Sequence, residues 1–488
     1  MVEVHKITYI GAGSFRFSIG LFRNFIAATE IAPFEVCLHD IDSRSLDLMT
    51  RIFNRMVNKS RVQVKVTSTV HQREALENAD FIFKSISVGI QQSEWIDIHV
   101  PQKYGIPQNT GDTCGPGGVF RGLRCVPVVH EMARNMKELC PKAVLLNYTN
   151  PQASIVMAAR RVDPDLQFIG LCHGLFSGMK AVREALNTKG FGIKDWHDLD
   201  FSYGGVNHYI WLTRLLANGE DAYPVLRENW KPFMNQHGFG FAFYLLGKLG
   251  YLPLLESRHL AEFMPEYYNY FNYQSRPFDI IPLRDVALLD RARRARYMLF
   301  KAMSRWFPVP GPKKQGEKAI DMTLDCVNNN PVKHVVNIPN KGFIENLPDD
   351  AIVEVPGQFK DGKMEGTDVG RLPDAIADLV CPHAEQQFLT VDAGLGNDPD
   401  LVIKAMLHDP MCKFVDDDDR IEDLAWNMLY HEQKWLPPEW KEWIPTKEDL
   451  AKRKHWVDEK ELKGKTNART CKYPVDQHVK NKAYLGGM

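Results

Sequence analysis

The feature that most constrains this chain is the rhythm of its first 90 residues, where apolar runs of strand length alternate with segments of helical spacing. Residues 4–10 read as a buried strand, 15–28 as a helix, 34–38 as a second strand and 46–57 as a second helix. Residues 62–67 are short and β-branched, and 81–88 read as another strand. Alternation of this kind predicts a parallel sheet wrapped by helices. A helix over 128–139 and strands over 143–146 and 166–171 extend it. Beyond about residue 195 the rhythm changes to a mixed lobe: strands over 209–216, 332–338 and 351–355, and helices over 241–249, 260–268, 283–306, 382–389 and 398–408. Pro382 is expected in a first turn, where proline is tolerated. The predicted organisation is a doubly wound α/β domain over 1–195, a mixed lobe over 196–432 and a tail over 433–488.

Composition narrows the function classes. Lys and Arg total 60 against 61 Asp and Glu, so no polyanion-binding character is suggested. No apolar stretch approaches the roughly 18 residues a membrane span needs. The N-terminus lacks the features of a secretory leader, and nine scattered cysteines do not form a disulfide framework. A cytoplasmic protein with free thiols is expected. The tail carries 13 Lys/Arg against 8 Asp/Glu and four of the ten tryptophans. It reads as a strap packed on the body or on a neighbouring subunit, not as a nucleic-acid contact.

The turn Gly11-Ala12-Gly13-Ser14 lies between the first strand and the first helix. A Gly-x-Gly turn there lets the backbone approach a pyrophosphate at a helix N-terminus. The third glycine of the full fingerprint is absent, since Phe15-Arg16-Phe17 follows Ser14. Asp40 closes the second strand about 25 residues later, placed to accept the adenosine ribose hydroxyls, which favours NAD. Val88 and Gly89 are expected to flank the same crevice.

Further candidate segments are Gly111-Asp112-Thr113-Cys114-Gly115-Pro116-Gly117-Gly118, leading to Arg121 and Arg124, then Asn147-Tyr148-Thr149-Asn150-Pro151, Cys172-His173-Gly174 and Gly205-Val206-Asn207-His208. Strand C-termini of a parallel sheet converge on one crevice, where Cys172 and His208 offer a thiolate and an imidazole to one divalent metal. Alone, a Cys and a His 36 residues apart mean little, and a buried thiol and a core histidine are the more common reading.

These motifs, in this order and with Asn337-x-x-Asn340-Lys341-Gly342 and Val353-Glu354-Val355-Pro356, resemble the NAD- and divalent-metal-dependent glycosidases of glycoside hydrolase family 4. The likeness runs from about residue 5 to about residue 430. It implies a lactate/malate dehydrogenase-like nucleotide domain, NAD, a metal that is commonly manganese, and a homodimer or homotetramer. It also implies a redox-neutral reaction: oxidation at the sugar C3, deprotonation at C2, elimination of the aglycone, addition of water at C1 and reduction at C3. This family is an exception to two-carboxylate glycoside hydrolysis.

By this resemblance Cys172 and His208 ligate the metal, and Asn150 and Asn207 contact the sugar and its metal. Asp112 either protonates the leaving oxygen or steadies the metal from behind its ligands. The base falls in the segment around Tyr251 and Glu256, and either residue is a candidate. His173 with Gly174 disfavours a 6-phosphoglycoside and resembles the branch acting on α-glucuronides and related uronides. Arg121, Arg124 and Arg258 are candidate partners for a C6 carboxylate. Neutral α-glucosides and α-galactosides are the alternative substrates. A simple NAD-dependent 2-hydroxy-acid dehydrogenase is the alternative of a different class.

Overall fold

The computed structural model describes residues 4–455 and 457, apart from 61, 269–277, 279, 281–282, 315–317 and 416. The chain is built on one 13-stranded sheet: β1 (His5–Ile10), β2 (Phe34–His39), β3 (Val64–Thr69), β4 (Phe81–Lys84), β5 (Val144–Asn147), β6 (Gln167–Gly170), β7 (Asp200–Val206), β8 (Tyr209–Ala217), β9 (Glu220–Asp221), β10 (Leu252–Pro253), β11 (His334–Pro339), β12 (Ile352–Lys360) and β13 (Lys363–Gly366). Its path is β10-β8-β7-β12-β11-β6-β5-β4-β1-β2-β3, with β13 on β12 and β9 on β8.

The six strands β3-β2-β1-β4-β5-β6 are parallel throughout. Their order is that of the doubly wound dinucleotide-binding fold. β4 and β5 are buried along their whole length, as expected of parallel strands covered on both faces. On one face the stacked rings of Phe22 and Phe53 (4.3 Å between centroids) tie helix to helix, and those of Phe25 and Phe83 (5.4 Å) tie helix to strand. The antiparallel half is attached to β6 by the single bridge Asn337 to Gly170, and within it β12 meets β7 at the single bridge Val353 to Val206. The strand ends of both halves therefore splay around one crevice.

Three expectations need correction. β4 ends at Lys84, not 88, which frees residues 85–89 as a turn at the crevice lip. The glycine-rich segment from Gly115 is not a loop but the start of the long helix Gly115–Leu139. A Cβ on Gly118 would lie 2.3 Å from the Thr113 carbonyl oxygen, and one on Gly117 would lie 2.9 Å from that of Asp97. The glycines are there for close packing. Pro382 lies in the middle of the helix Asp374–Gly396, not in a first turn. That helix packs on Gly115–Leu139, with Gly394 against Val126, and tertiary contact overrides local propensity.

The tail begins with ordered packing: Trp440 and Leu450 are buried. Residues 458–488 lie outside the described part of the chain. Among the described residues no helix is long and apolar enough to cross a membrane.

Candidate active site

The turn after β1 meets the turn after β4. Gly11 has φ of 92°, and a Cβ there would lie 2.0 Å from the Ser85 carbonyl oxygen, so only glycine fits. At Gly13 a Cβ would collide with Asp40 at 2.7 Å; instead the Gly13 N–H donates to Asp40 Oδ2 (2.9 Å). The Asp42 N–H takes the other oxygen (2.9 Å). Ser14 Oγ accepts from the Phe17 N–H (3.3 Å) ahead of the helix Ser18–Phe25. Gly89, at φ 81°, caps the helix Ile90–Lys103, and the preceding Val88 is half-buried, its carbonyl accepting from Ser93 Oγ (3.0 Å). Side-chain-free turns at two adjacent strand ends, with a carboxylate closing β2, fit the phosphates and ribose of a dinucleotide.

Deeper in the crevice, donor atoms of Asp112, His208 and His259 lie within 4.8 Å of one another. Asp112 comes from the loop before Gly115–Leu139, His208 from the β7–β8 turn and His259 from the helix Ser257–Phe263. His208 is held at φ 64°, a conformation rare for histidine, and its Nδ1 is 3.2 Å from Thr113 Oγ1. Burial works against the Asp112 carboxylate, but His208, His259, Arg121 and Arg284 together hold it well below the usual range. Burial pushes both imidazoles down, opposed by the charge of Asp112. Two imidazoles and a carboxylate are a donor set suited to a divalent transition metal with open positions. A carboxyl held ionised has no proton to give, which weakens Asp112 as the acid.

Cys172 is not one of these three donors. Burial and the nearby Glu354 push its thiol well up, opposed by the Gly174 N–H (3.3 Å from Sγ) and Asn207. Asn207 and Asn337 donate to the same oxygen of Glu354 at 2.8 and 3.1 Å, and burial raises that carboxyl to about 7. Asn207 therefore spans the two expected ligands: its side chain belongs to the Cys172–Glu354 group, and the next residue is His208.

Other candidates are placed as follows. Asn150 begins a cis bond to Pro151, and its carbonyl accepts from Arg121 Nε (3.1 Å). The His173 ring stacks on Tyr148 at 6.1 Å. Glu256 precedes the His259 helix, 3.4 Å from Arg258, whose Nη2 is 3.1 Å from His259 Nε2.

Two residues do not belong to the site. Arg124 is buried in ion pairs with Asp97 (2.8 Å) and Glu432, so its fork is not free for a substrate carboxylate. Tyr251 packs against Tyr223 and Arg227. Because Leu252 pairs with Leu212, Tyr251 sits four to five residues along the sheet from His208, on the order of 15 Å. A Cβ on Gly174 would lie 2.3 Å from Leu255 Cδ1, so Leu255 fills the space a side chain there would take.

Sequence reasoning assigned no role to His259, Glu262, Glu354 or Lys84. The first two share one short helix, spaced i and i+3, and that spacing was the available signal. Glu262 accepts from the Thr110 N–H (2.8 Å) and the Gly111 N–H (3.1 Å), holding the loop that carries Asp112. Lys84 Nζ donates to Asn147 Oδ1 (2.9 Å), and burial lowers its ammonium to about 7.

Burial raises the Glu262 carboxyl to about 8 from an ordinary 4.5. A raised acid favours the folded state at pH below about 4.5, and that contribution is lost as pH climbs through about 8. Glu262→Gln retains an oxygen for both amides and has nothing to ionise. Its urea-unfolding stability is expected to lack a decline of at most about 3–5 kcal/mol that the parent shows between pH 4.5 and 8. Parallel pH profiles for the two proteins would contradict this account of Glu262.

The described geometry coincides with a family match. Residues 6–188 match the family 4 glycosyl hydrolase model, and residues 203–412 match the family 4 glycosyl hydrolase C-terminal domain. An α-galactosidase of Bacillus subtilis (strain 168) is 31% identical over 83% of this chain and 93% of its own length. An α-galacturonidase of Thermoanaerobacter italicus is 30% identical over 84% and 93%. Among solved structures, a 6-phospho-α-glucosidase from gut microorganisms in complex with NAD and Mn2+ superposes with a TM-score of 0.75. It has 22% identity and covers 89% of this chain and 99% of its own.

Proposed function

The chain belongs to glycosyl hydrolase family 4, and on that premise we propose that it cleaves α-glycosides of a uronic acid with NAD and a divalent metal, most simply manganese. The observation that carries the reading is the convergence of Asp112, His208 and His259 within 4.8 Å. When bound, the dinucleotide exchanges a hydride with the sugar C3 while the metal polarises the neighbouring oxygens. Gly11, Gly13, Ser14, Asp40, Val88 and Gly89 hold the dinucleotide. His208 anchors the metal; Asp112 and His259 join it by geometry, and Cys172 by family resemblance. Asn150 and Asn207 orient the sugar. Glu256, at the lip beside Arg258, takes the C2 proton, and Tyr251 has no part in the chemistry.

The uronide preference rests on cations. Arg258 and Arg284 face Asp112 and its histidines, as does Arg16, whose guanidinium is lowered by burial and by its arginine neighbours. Several guanidiniums around one carboxylate favour an anionic substrate. The α-galacturonidase relative is in keeping with this, and the α-galactosidase relative makes neutral hexosides the comparison arm.

The test is a panel of p-nitrophenyl α-galacturonide, α-glucuronide, α-galactoside and α-glucoside with NAD, Mn2+ and a reductant, following nitrophenol and NADH together. We expect nitrophenol without net NADH, and a uronide as the best substrate. NADH without cleavage would instead mark a dehydrogenase. Arg258→Leu should lower kcat/KM on the uronide by about 10- to 100-fold more than on the galactoside, the worth of a charged hydrogen bond, the shared part of the loss reporting its contacts with Glu256 and His259. Equal losses on both would refute a carboxylate-reading role.

A further inference from the structure

We propose that Trp435, from the C-terminal strap, forms the outer wall of the crevice on the nicotinamide side. The inference rests on reading that crevice as an NAD site. The strap lies beyond residue 412, where the match to the C-terminal family model ends.

Gly89 caps the helix Ile90–Lys103 at the crevice lip, and a Cβ on it would lie 3.0 Å from Trp435 Cδ2. The indole therefore rests directly on the turn. Neighbouring contacts fix it there. Three residues earlier, Glu432 is buried in its ion pair with Arg124. One residue earlier, Lys434 Nζ donates to Gln92 Oε1 (2.8 Å) and sits 4.1 Å over the Trp435 ring. Leu436 and Trp440 are buried on the far side. Trp435 itself is only half-buried, so ring surface remains for a ligand lying along the turn.

Sheet order says which part of the cofactor that is. β1 lies between β2 and β4. Asp40 follows β2 and takes the adenosine end, while Gly89 follows β4, on the opposite side of the Gly11 turn. A dinucleotide spanning that turn runs its nicotinamide riboside half past Gly89. An aromatic ring seated there gives contact area with little loss of side-chain freedom.

The experiment titrates the full chain with NAD and, separately, with AMP, reading affinity by calorimetry and tryptophan emission by fluorescence. Trp435→Ala is expected to weaken NAD by about three- to tenfold and to leave AMP unchanged. Trp435→Phe should keep most of the affinity, and the NAD-induced change in emission seen in the parent should largely disappear from it. The alanine variant may be replaced by the phenylalanine variant if it fails to fold, because the emission readout stands alone. Unaltered NAD affinity in Trp435→Ala, an equal loss for AMP, or an unaltered emission change in Trp435→Phe each overturns the proposal. If the parent chain binds no NAD, the dinucleotide reading itself falls, and this inference with it.

Discussion

His208→Ala is expected to lose at least about 10^3-fold in glycoside cleavage and most of its Mn2+ affinity, with NAD affinity little changed. His208 sits where the two donor groups adjoin: its ring meets Asp112 and His259, and its neighbour Asn207 reaches Cys172 and Glu354. The dinucleotide turns at Gly11 and Gly89 belong to other strand ends and are untouched. The measurement is metal content and NAD affinity on the same preparation. His259→Ala and Cys172→Ser, run beside it, apportion the remaining donors: loss of metal in the first supports the imidazole–carboxylate set, and in the second the thiolate. A His208→Ala protein that retains metal and activity would remove the basis of the proposed function.

The parallel half of the sheet was legible because β4 and β5 are buried throughout and β1 and β2 over most of their length, so apolar residues dominate each run. β7 was not, since Asp200, Ser202, Gly204 and Gly205 dilute the pattern in Asp200–Val206. The helix Ile90–Lys103 was missed for a related reason. Its buried residues include Asp97, His99 and Gln102, so no apolar stripe marks it. At the site, the glycine turn and Asp40 were legible because local backbone geometry demands those residues. Glu262 was not, because its role is to hold the amides of Thr110 and Gly111, 152 and 151 residues away. Arg124 misled for the same reason: near a candidate site in sequence, it is spent on Glu432, 308 residues on.

That ion pair predicts the largest loss of stability in the molecule. Arg124 makes two hydrogen bonds to Asp97, at 2.8 and 3.0 Å, and another to Glu432, all three side chains being almost wholly buried. Burial pushes the Glu432 carboxyl well up, opposed by Arg124. Arg124→Met leaves the Asp97 carboxylate buried without a cation. A buried charge stripped of its partner costs about 3–5 kcal/mol, expected as a lowered urea midpoint. The loss should be recovered in large part by Asp97→Leu, Arg124→Met and Glu432→Leu together, because apolar replacement of a whole buried ion group is often neutral. The same substitution loosens the helix Asp418–Glu432 from Ile90–Lys103, and with it the seat of Trp435 on Gly89. NAD affinity is therefore expected to fall in Arg124→Met and return in the triple variant, whereas Mn2+ affinity should follow neither change. Stability unaffected by Arg124→Met would mean that the strap is held by its apolar contacts alone.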